Sequence, residues 1–127
     1  YLDSQIKLNF FEYNPFSSKI IDEIKNSSCV VLPSYREGKS RVLMEAMASG
    51  RPIIASDVPG CKDLIQDGKN GFISRVRNSK DLETNMEKMI NLSLDDKNKM
   101  GIQGRKIIEE NYHIDIVIKK YLDLIEK

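Results

Sequence analysis

The chain has 127 residues, close to the commonest length of a single domain and long enough to bury one hydrophobic core. Its 20 Lys and Arg residues balance 19 Asp and Glu residues, and a net charge of +1 gives no reason to expect nucleic acid as a partner. No apolar run approaches the ~18 residues that cross a bilayer, and the first residues lack the pattern of a signal peptide. We therefore predict a soluble, cytoplasmic domain, and the start at Tyr1 suggests part of a longer chain.

Apolar runs alternate with helical patterns along the first 74 residues. Strands are predicted at 6–11, 29–32, 53–55 and 72–74, and helices at 18–26 and 40–49. Apolar strands without polar alternation, each separated by a helix, are typical of a parallel sheet that is buried on both faces. We therefore predict an α/β fold with a doubly wound, Rossmann-like parallel sheet.

The sequence beyond residue 78 has purely helical patterns. One apolar stripe comprises Leu82, Met86, Met89 and Ile90, and a second comprises Ile114, Val117, Ile118, Tyr121, Leu122 and Ile125. We interpret both as core packing rather than as a cofactor or partner groove. No repeat and no linker divides the chain, so residues 1–127 are predicted to form a single domain with C-terminal helices.

Three residues that often carry chemistry are interpreted as structural. Cys29 and Cys61 lie far apart and outside any Cys/His cluster, which argues against a zinc site and a disulfide scaffold and favours free thiols. His113 stands alone between two helical stretches, where a surface or capping role is the usual one.

The segment from Pro33 to Ser56 joins the end of a strand, a loop and the start of a helix. Ligands of open α/β sheets bind at such junctions. Ser40 is a plausible N-cap, after which the first helical turn leaves backbone N–H groups without partners. Lys39 and Arg41 flank this helix start, where a bound diphosphate would complement them. Taken alone, they are equally well explained as exposed basic residues beside a loop.

Two glutamates lie in the same segment. Apolar residues cover most of the circumference of the helix that carries Glu45, so its carboxylate needs an internal cation or a ligand's hydroxyl groups. Glu37 lies in the loop beside Gly38, whose missing side chain lets a ligand approach the backbone. The alternative is a surface Glu37 and a Glu45 paired with Arg41 one turn away. The spacing alone leaves both interpretations open.

Residues 33–72, PSYREGKSRVLMEAMASGRPIIASDVPGCKDLIQDGKNGF, resemble the nucleotide-sugar-dependent retaining glycosyltransferases with the GT-B fold, often called group 1 glycosyltransferases. The E-x7-E signature of that family appears as Glu37 and Glu45. It is followed in order by AMASG at 46–50, PIIA at 52–55, a G-x-x-D-L-I segment at 60–65 and the DGKNGF turn at 67–72. Lys39, Ser40 and Asp63 depart from the residues usual in that family, and the resemblance implies that Lys39 stands in the wall that faces the sugar.

The resemblance implies a role for each residue of the site. Glu37 would be the catalytic carboxylate that contacts the transferred sugar, and Glu45 would accept hydrogen bonds from the nucleotide ribose. The diphosphate would lie against the segment after Glu37, and the base near the first predicted strand. The remaining substrate-binding residues are Gly38, Lys39, Ser40, Arg41 and Val42 for the diphosphate, and Glu12 and Tyr13 for the base. No DxD-like carboxylate cluster is present, so neither a metal nor another cofactor is expected.

The function implied is that of the donor-binding domain of a retaining glycosyltransferase. It would transfer a sugar from a nucleotide diphosphate sugar, of the UDP type, to an acceptor hydroxyl in polysaccharide or glycolipid synthesis. The expected partners are that donor and an N-terminal acceptor-binding domain of the same chain, with peripheral association of that domain at the inner face of the membrane. These 127 residues alone are expected to bind the donor weakly and to transfer nothing.

Two other functions are open. One is a non-catalytic, nucleotide-sugar-binding regulatory module that retains the site without the reaction. The other is a sugar epimerase or phosphorylase, which shares the two-domain architecture but resembles this stretch in fold rather than in its linked motifs.

Overall fold

The computed structural model describes residues 19–33, 40–111 and 122. Its elements, in chain order, are helix α1 (Lys19–Lys25), strand β1 (Val30–Leu32), helix α2 (Arg41–Ala48), strand β2 (Ile53–Ser56), a 3₁₀ turn (Lys62–Leu64), strand β3 (Gly71–Ser74), helix α3 (Ser79–Asn91) and helix α4 (Leu94–Asn111). The strand predicted at 6–11 lies outside the described residues. The apolar stripe from Ile114 to Ile125 also lies outside the described residues, except for Leu122. The side chain of Leu122 is half exposed, which differs from the core packing predicted for this stripe.

The three described strands form one parallel sheet in the order β1-β2-β3. Val30 pairs with Ile53 at the start of the sheet, and Ser56 pairs with Ser74 at its end. All four residues of the central strand β2 are buried, as expected when both faces of a sheet are covered. The predicted parallel sheet is therefore confirmed.

Helices cover both faces of this sheet. Ile53 and Ala55 of β2 belong to a core cluster that includes residues of α1, α2 and the end of α4. Ile54, which points to the opposite face, packs with Met89 of α3 and Met100 of α4. Alternate residues of one strand thus enter two separate cores, and the doubly wound arrangement is confirmed.

Helix α4 passes along the edge of the sheet where β2 begins. A Cβ atom at Gly101 would lie 1.9 Å from the carbonyl oxygen of Gly50, so only glycine permits this approach. One turn later, Gly104 faces Met47 and Asn70 at ordinary contact distances. Because α4 occupies this edge, the opposite edge, where the strands end, is the one on which a ligand site is expected.

The turn before β3 is held by the side chains of its own polar residues. Asn70 is completely buried, and its Nδ2 donates to the Leu64 carbonyl at 3.1 Å while its Oδ1 accepts from the Gln66 N–H at 2.7 Å. Asp67 accepts from the Ile73 N–H at 3.0 Å, and Gly68 has a φ of +81°. The polar residues of the DGKNGF segment therefore have a structural role.

Cys29 and Cys61 are not joined in a disulfide. Burial raises the pKa of Cys29 to about 12, although the charge of Lys97 acts in the opposite direction. Within the described residues, no helix has the length and apolarity that crossing a membrane requires.

Candidate functional site

Helix α2 begins at the carboxyl edge of the sheet, and Ser40 is its N-cap. The backbone of Ser40 is extended, with φ of −72° and ψ of 113°, and its Oγ accepts from the Leu43 N–H at 3.3 Å. Its own N–H donates to the carbonyl of Gly60 at 3.3 Å, which ties the helix start to the loop after β2. The capping role predicted for Ser40 is confirmed, and the side chain is almost fully buried.

The first turn of α2 has the electrostatics of an anion site. It contains no acidic residue, and Arg41 is exposed at the first helical position. The N–H groups of Arg41 and Val42 have no acceptor within the helix because of their position, and the helix dipole adds partial positive charge. A cation here is unfavourable for the helix itself, so the turn is better suited to a bound anion than to solvent.

Glu45 lies on the next turn of α2. The residue is half-buried, its Oε2 is shielded from solvent, and its side chain takes part in an interaction within the protein. The ion pairs of residues 19–33 and 40–111 join Lys80 to Glu83, Lys99 to Asp95 and Arg105 to Glu109, so Arg41 is in none of them. The structure thus gives no support to the alternative in which Arg41 neutralises Glu45.

The remaining predicted site residues lie outside the described residues. Glu37, Gly38 and Lys39 fall in the segment 34–39, and Glu12 and Tyr13 fall in 1–18, so their roles stay predictions. His113 is outside the described residues as well. Among the residues that are described, no group of three His, Cys, Asp or Glu side chains has the geometry of a metal site.

The loop after β2 also lies at this edge of the sheet, and the sequence predicts no site residue in it. The Asp57 N–H donates to the Ser74 carbonyl at 2.8 Å, and the Val58 N–H donates to the Ser56 carbonyl at 2.8 Å. The chain therefore turns sharply just past the last residue pair of the sheet. Asp57 is exposed at this turn, and its place directly after an apolar strand was the available signal.

The end of β3 is fixed by helix α3. Asn85 is buried, and its Nδ2 donates to the Ser74 hydroxyl at 2.8 Å and to the Ile73 carbonyl at 3.0 Å. The next residue, Arg75, donates its N–H to the Asp81 carboxylate at 2.7 Å. The carboxyl edge is thus a rigid frame that presents side chains from α2 and from the ends of two strands.

A comparison with family models assigns the sequence of this chain to a family of enzymes. The model described as "Glycosyl transferases group 1" matches residues 2–107. This chain therefore belongs to the group 1 glycosyltransferase family, as the linked motifs had indicated.

Two curated relatives show what proteins of similar sequence do. The chain is 32% identical over 111 residues to N,N'-diacetylbacillosaminyl-diphospho-undecaprenol alpha-1,3-N-acetylgalactosaminyltransferase of Campylobacter jejuni, a match that covers 87% of this chain and 29% of the relative. It is 30% identical over 128 residues to poly(ribitol-phosphate) alpha-N-acetylglucosaminyltransferase of Staphylococcus aureus, with coverage of 96% and 24%. The chain thus spans about a quarter to a third of the length of these relatives, both of which are transferases.

Solved structures of GT-B glycosyltransferases have the same fold. TarM of Staphylococcus aureus, a mutant crystallised with fondaparinux, alpha-GlcNAc-glycerol and UDP, superposes with a TM-score of 0.80 at 27% identity, covering 88% of this chain and 23% of that one. HepE of Anabaena, in complex with UDP-glucose, has a TM-score of 0.80 at 20% identity, with coverage of 87% and 30%. The C-terminal domain of a group 1 family protein of Francisella tularensis has a TM-score of 0.71 at 24% identity, with coverage of 83% and 53%. The predicted fold class is confirmed.

Proposed function

We propose that this chain forms the donor-binding domain of a retaining glycosyltransferase that moves a sugar from a UDP-sugar to an acceptor hydroxyl. The observation that carries the proposal is the start of α2, which is capped by Ser40, free of acidic residues and flanked by Arg41 at the carboxyl edge of the sheet. Ligands of open parallel sheets bind at this edge.

The diphosphate of the donor is proposed to lie against the first turn of α2. In the transfer, the bond from the anomeric carbon to the diphosphate breaks, a bond to the acceptor oxygen forms, and the proton of the acceptor hydroxyl passes to an oxygen of the leaving diphosphate. Negative charge grows on the leaving diphosphate during this step. The N–H groups of Arg41 and Val42 and the helix dipole are fixed before the reaction and stabilise that charge, and the exposed Arg41 guanidinium adds a positive charge beside it.

Glu45 is proposed to bind the ribose of the nucleotide. It follows Arg41 by four residues, which is roughly 6 Å along the helix axis. In a nucleoside diphosphate the ribose adjoins the phosphates, so one helix can present N–H groups to the phosphates and a carboxylate to the ribose hydroxyls. Shielding of Oε2 from solvent strengthens a hydrogen bond from a hydroxyl, because the local dielectric constant is low.

The remaining donor-binding residues of the proposal lie outside the described part of the chain and are assigned from the family resemblance. Glu37 is the carboxylate beside the transferred sugar, Gly38 and Lys39 lie along the diphosphate, and Glu12 and Tyr13 lie beside the base. The assignments of Glu37, Gly38 and Lys39 rest on the E-x7-E signature and on the order of the pieces around it. Those of Glu12 and Tyr13 rest only on their place after the first predicted strand, where members of the family bind the base.

The choice of UDP and of retention draws on the relatives. The TarM complex contains UDP, and TarM is 27% identical in sequence to this chain. The names of both curated relatives specify an alpha linkage and an N-acetylhexosamine. Retention during transfer from an α-linked nucleotide sugar would give such a linkage. An acceptor in polysaccharide or glycolipid synthesis, bound by a further domain, also fits the relatives' names and lengths.

The experiment uses the complete protein that carries this chain, incubated separately with UDP-N-acetylglucosamine, UDP-N-acetylgalactosamine, UDP-glucose and GDP-mannose. We expect one UDP-sugar to release UDP, and NMR of the product to show an α linkage. A β linkage would contradict retention, and donor binding without turnover across a panel of acceptors would favour the regulatory module. If no nucleotide sugar binds at all, the proposed function is wrong.

A further inference from the structure

Two charged residues occupy neighbouring places just past the end of the sheet. The last paired residues of β2 and β3 are Ser56 and Ser74, and each is followed directly by a charged residue, Asp57 and Arg75. The Asp57 N–H donates to the Ser74 carbonyl at 2.8 Å, so the two strands are still held together at this point. Both residues are exposed.

Among residues 19–33 and 40–111, the charged groups of this pair do not help to hold the fold through ion pairs or hydrogen bonds. In the part of the chain that the structure describes, neither the Asp57 carboxylate nor the Arg75 guanidinium enters an ion pair or a hydrogen bond. The acidic residues Asp67 and Asp81 differ, because their carboxylates accept backbone N–H groups of Ile73 and Arg75. The backbones of Asp57 and Arg75 are fixed while their charged groups remain available.

The location of the pair selects the kind of ligand. Adjacent strands are ~4.8 Å apart, so Asp57 and Arg75 lie roughly 5 and 10 Å across the sheet from the end of β1. They are thus beside the proposed diphosphate position rather than on it. A carboxylate is repelled by a diphosphate but accepts hydrogen bonds from hydroxyl groups, whereas a guanidinium donates to hydroxyl oxygens. Together the two groups match a polyhydroxylated ring.

We propose that Asp57 and Arg75 bind the hydroxyl groups of a sugar ring next to the diphosphate and help to determine which sugar is used. The inference rests on the proposed function and deepens it. The ring belongs either to the transferred sugar or to the acceptor, which have the same hydroxyl chemistry, and kinetics distinguish the two sources.

The test compares Asp57→Asn, Arg75→Gln and the double variant of the complete protein with two matched controls. Asp96→Asn and Lys106→Gln remove exposed charges from α4, outside the motifs of the site. UDP affinity is measured by calorimetry, and kcat/KM of transfer is measured with the best UDP-sugar of the panel. We expect UDP affinity to change less than about twofold and kcat/KM to fall about tenfold in each single variant, because a charge-assisted hydrogen bond is weakened.

The kinetic parameters assign the source of the ring. A rise in KM for the UDP-sugar identifies the transferred sugar, and a rise in KM for the acceptor identifies the acceptor. The double variant should lose less than the product of the single losses, because both groups hold one ring. Equal losses in the controls, or a kcat/KM unchanged in both single variants of an active enzyme, would overturn this inference and leave the proposed function intact. A wild-type protein that uses no nucleotide sugar would overturn both.

Discussion

The contact between helix α4 and the turn after α2 allows a stability test with a matched control. In Gly101→Ala, the new methyl group would lie 1.9 Å from the Gly50 carbonyl oxygen and 2.8 Å from its carbon, which are backbone atoms with no alternative rotamer. In Gly104→Ala, the nearest atoms are 3.6 Å away or further and belong to side chains. Both substitutions are on the same helix and replace the same residue, so they differ mainly in steric conflict.

The two substitutions are expected to change the free energy of unfolding differently. Replacing glycine by alanine inside a helix stabilises a protein by about 1 kcal/mol, and this gain applies at both positions. Overpacking against a fixed backbone typically costs about 1–3 kcal/mol or more, and it applies at Gly101 alone. We therefore expect Gly104→Ala to be neutral or more stable than wild type and Gly101→Ala to be about 2 kcal/mol less stable than Gly104→Ala. Urea denaturation followed by circular dichroism measures both values. Equal stability of the two variants would refute the position of α4 at this edge.

Three further outcomes are expected. Asn70→Ala should lower the free energy of unfolding by about 1–3 kcal/mol, measured by urea denaturation, because it leaves the buried Leu64 carbonyl and the part-buried Gln66 N–H without their partner; a loss below about 0.5 kcal/mol would contradict the role of Asn70. Ser40→Asp keeps an N-cap but places a carboxylate at an almost fully buried position, so circular dichroism first checks that the variant is folded. The folded variant should bind UDP at least about tenfold more weakly in calorimetry through charge repulsion; unchanged affinity would argue against a diphosphate at α2. The Cys29 thiol, with its pKa raised from 9.0 to about 12, should stay unreactive toward a disulfide reagent at pH 8 until the protein unfolds. The unfolded protein loses the Cys29 proton near pH 9.0, whereas the folded protein keeps it until about pH 12. The protonated Cys29 thiol should therefore contribute fully to stability below pH 9, and this contribution should decline as the pH rises toward 12.

The strands and the site segment were predictable because their signals are local. An apolar run such as Ile53–Ser56 is readable from the sequence, since burial on both faces leaves no polar alternation. Ser40 was recognisable as a cap because it precedes a long apolar helical pattern, and capping depends only on the next three residues. These local signals placed the carboxyl edge of the sheet and the start of α2 correctly.

Features that depend on distant contacts were not predictable. Helix α4 carries neither of the two predicted apolar stripes, and its buried residues include Gly101 and Gly104, which face the distant residues Gly50, Met47 and Asn70. Gly101 weakens a helix when considered alone, and its requirement comes from a carbonyl some fifty residues earlier. Asp57 and Arg75 are two isolated charges in the sequence and become neighbours only through the register of β2 and β3.

The left-handed backbone of Arg77 is a further case. Its φ of 57° lies in the region that favours glycine, yet the sequence has arginine there. Arg77 lies in the turn between β3 and the Asn78 cap of α3, and no residue preference signals its conformation.

The central claim is that α2 binds a nucleoside diphosphate, with Glu45 on its ribose. Calorimetry of the complete protein with UDP and with 2′,3′-dideoxyuridine diphosphate, in wild type and in Glu45→Gln, tests it most directly. The account predicts that the wild type binds UDP at least about tenfold more tightly than the dideoxy compound, because two ribose hydroxyls are lost, and that this preference disappears in the variant. A preference of equal size in both proteins, or none in the wild type, would contradict the claim.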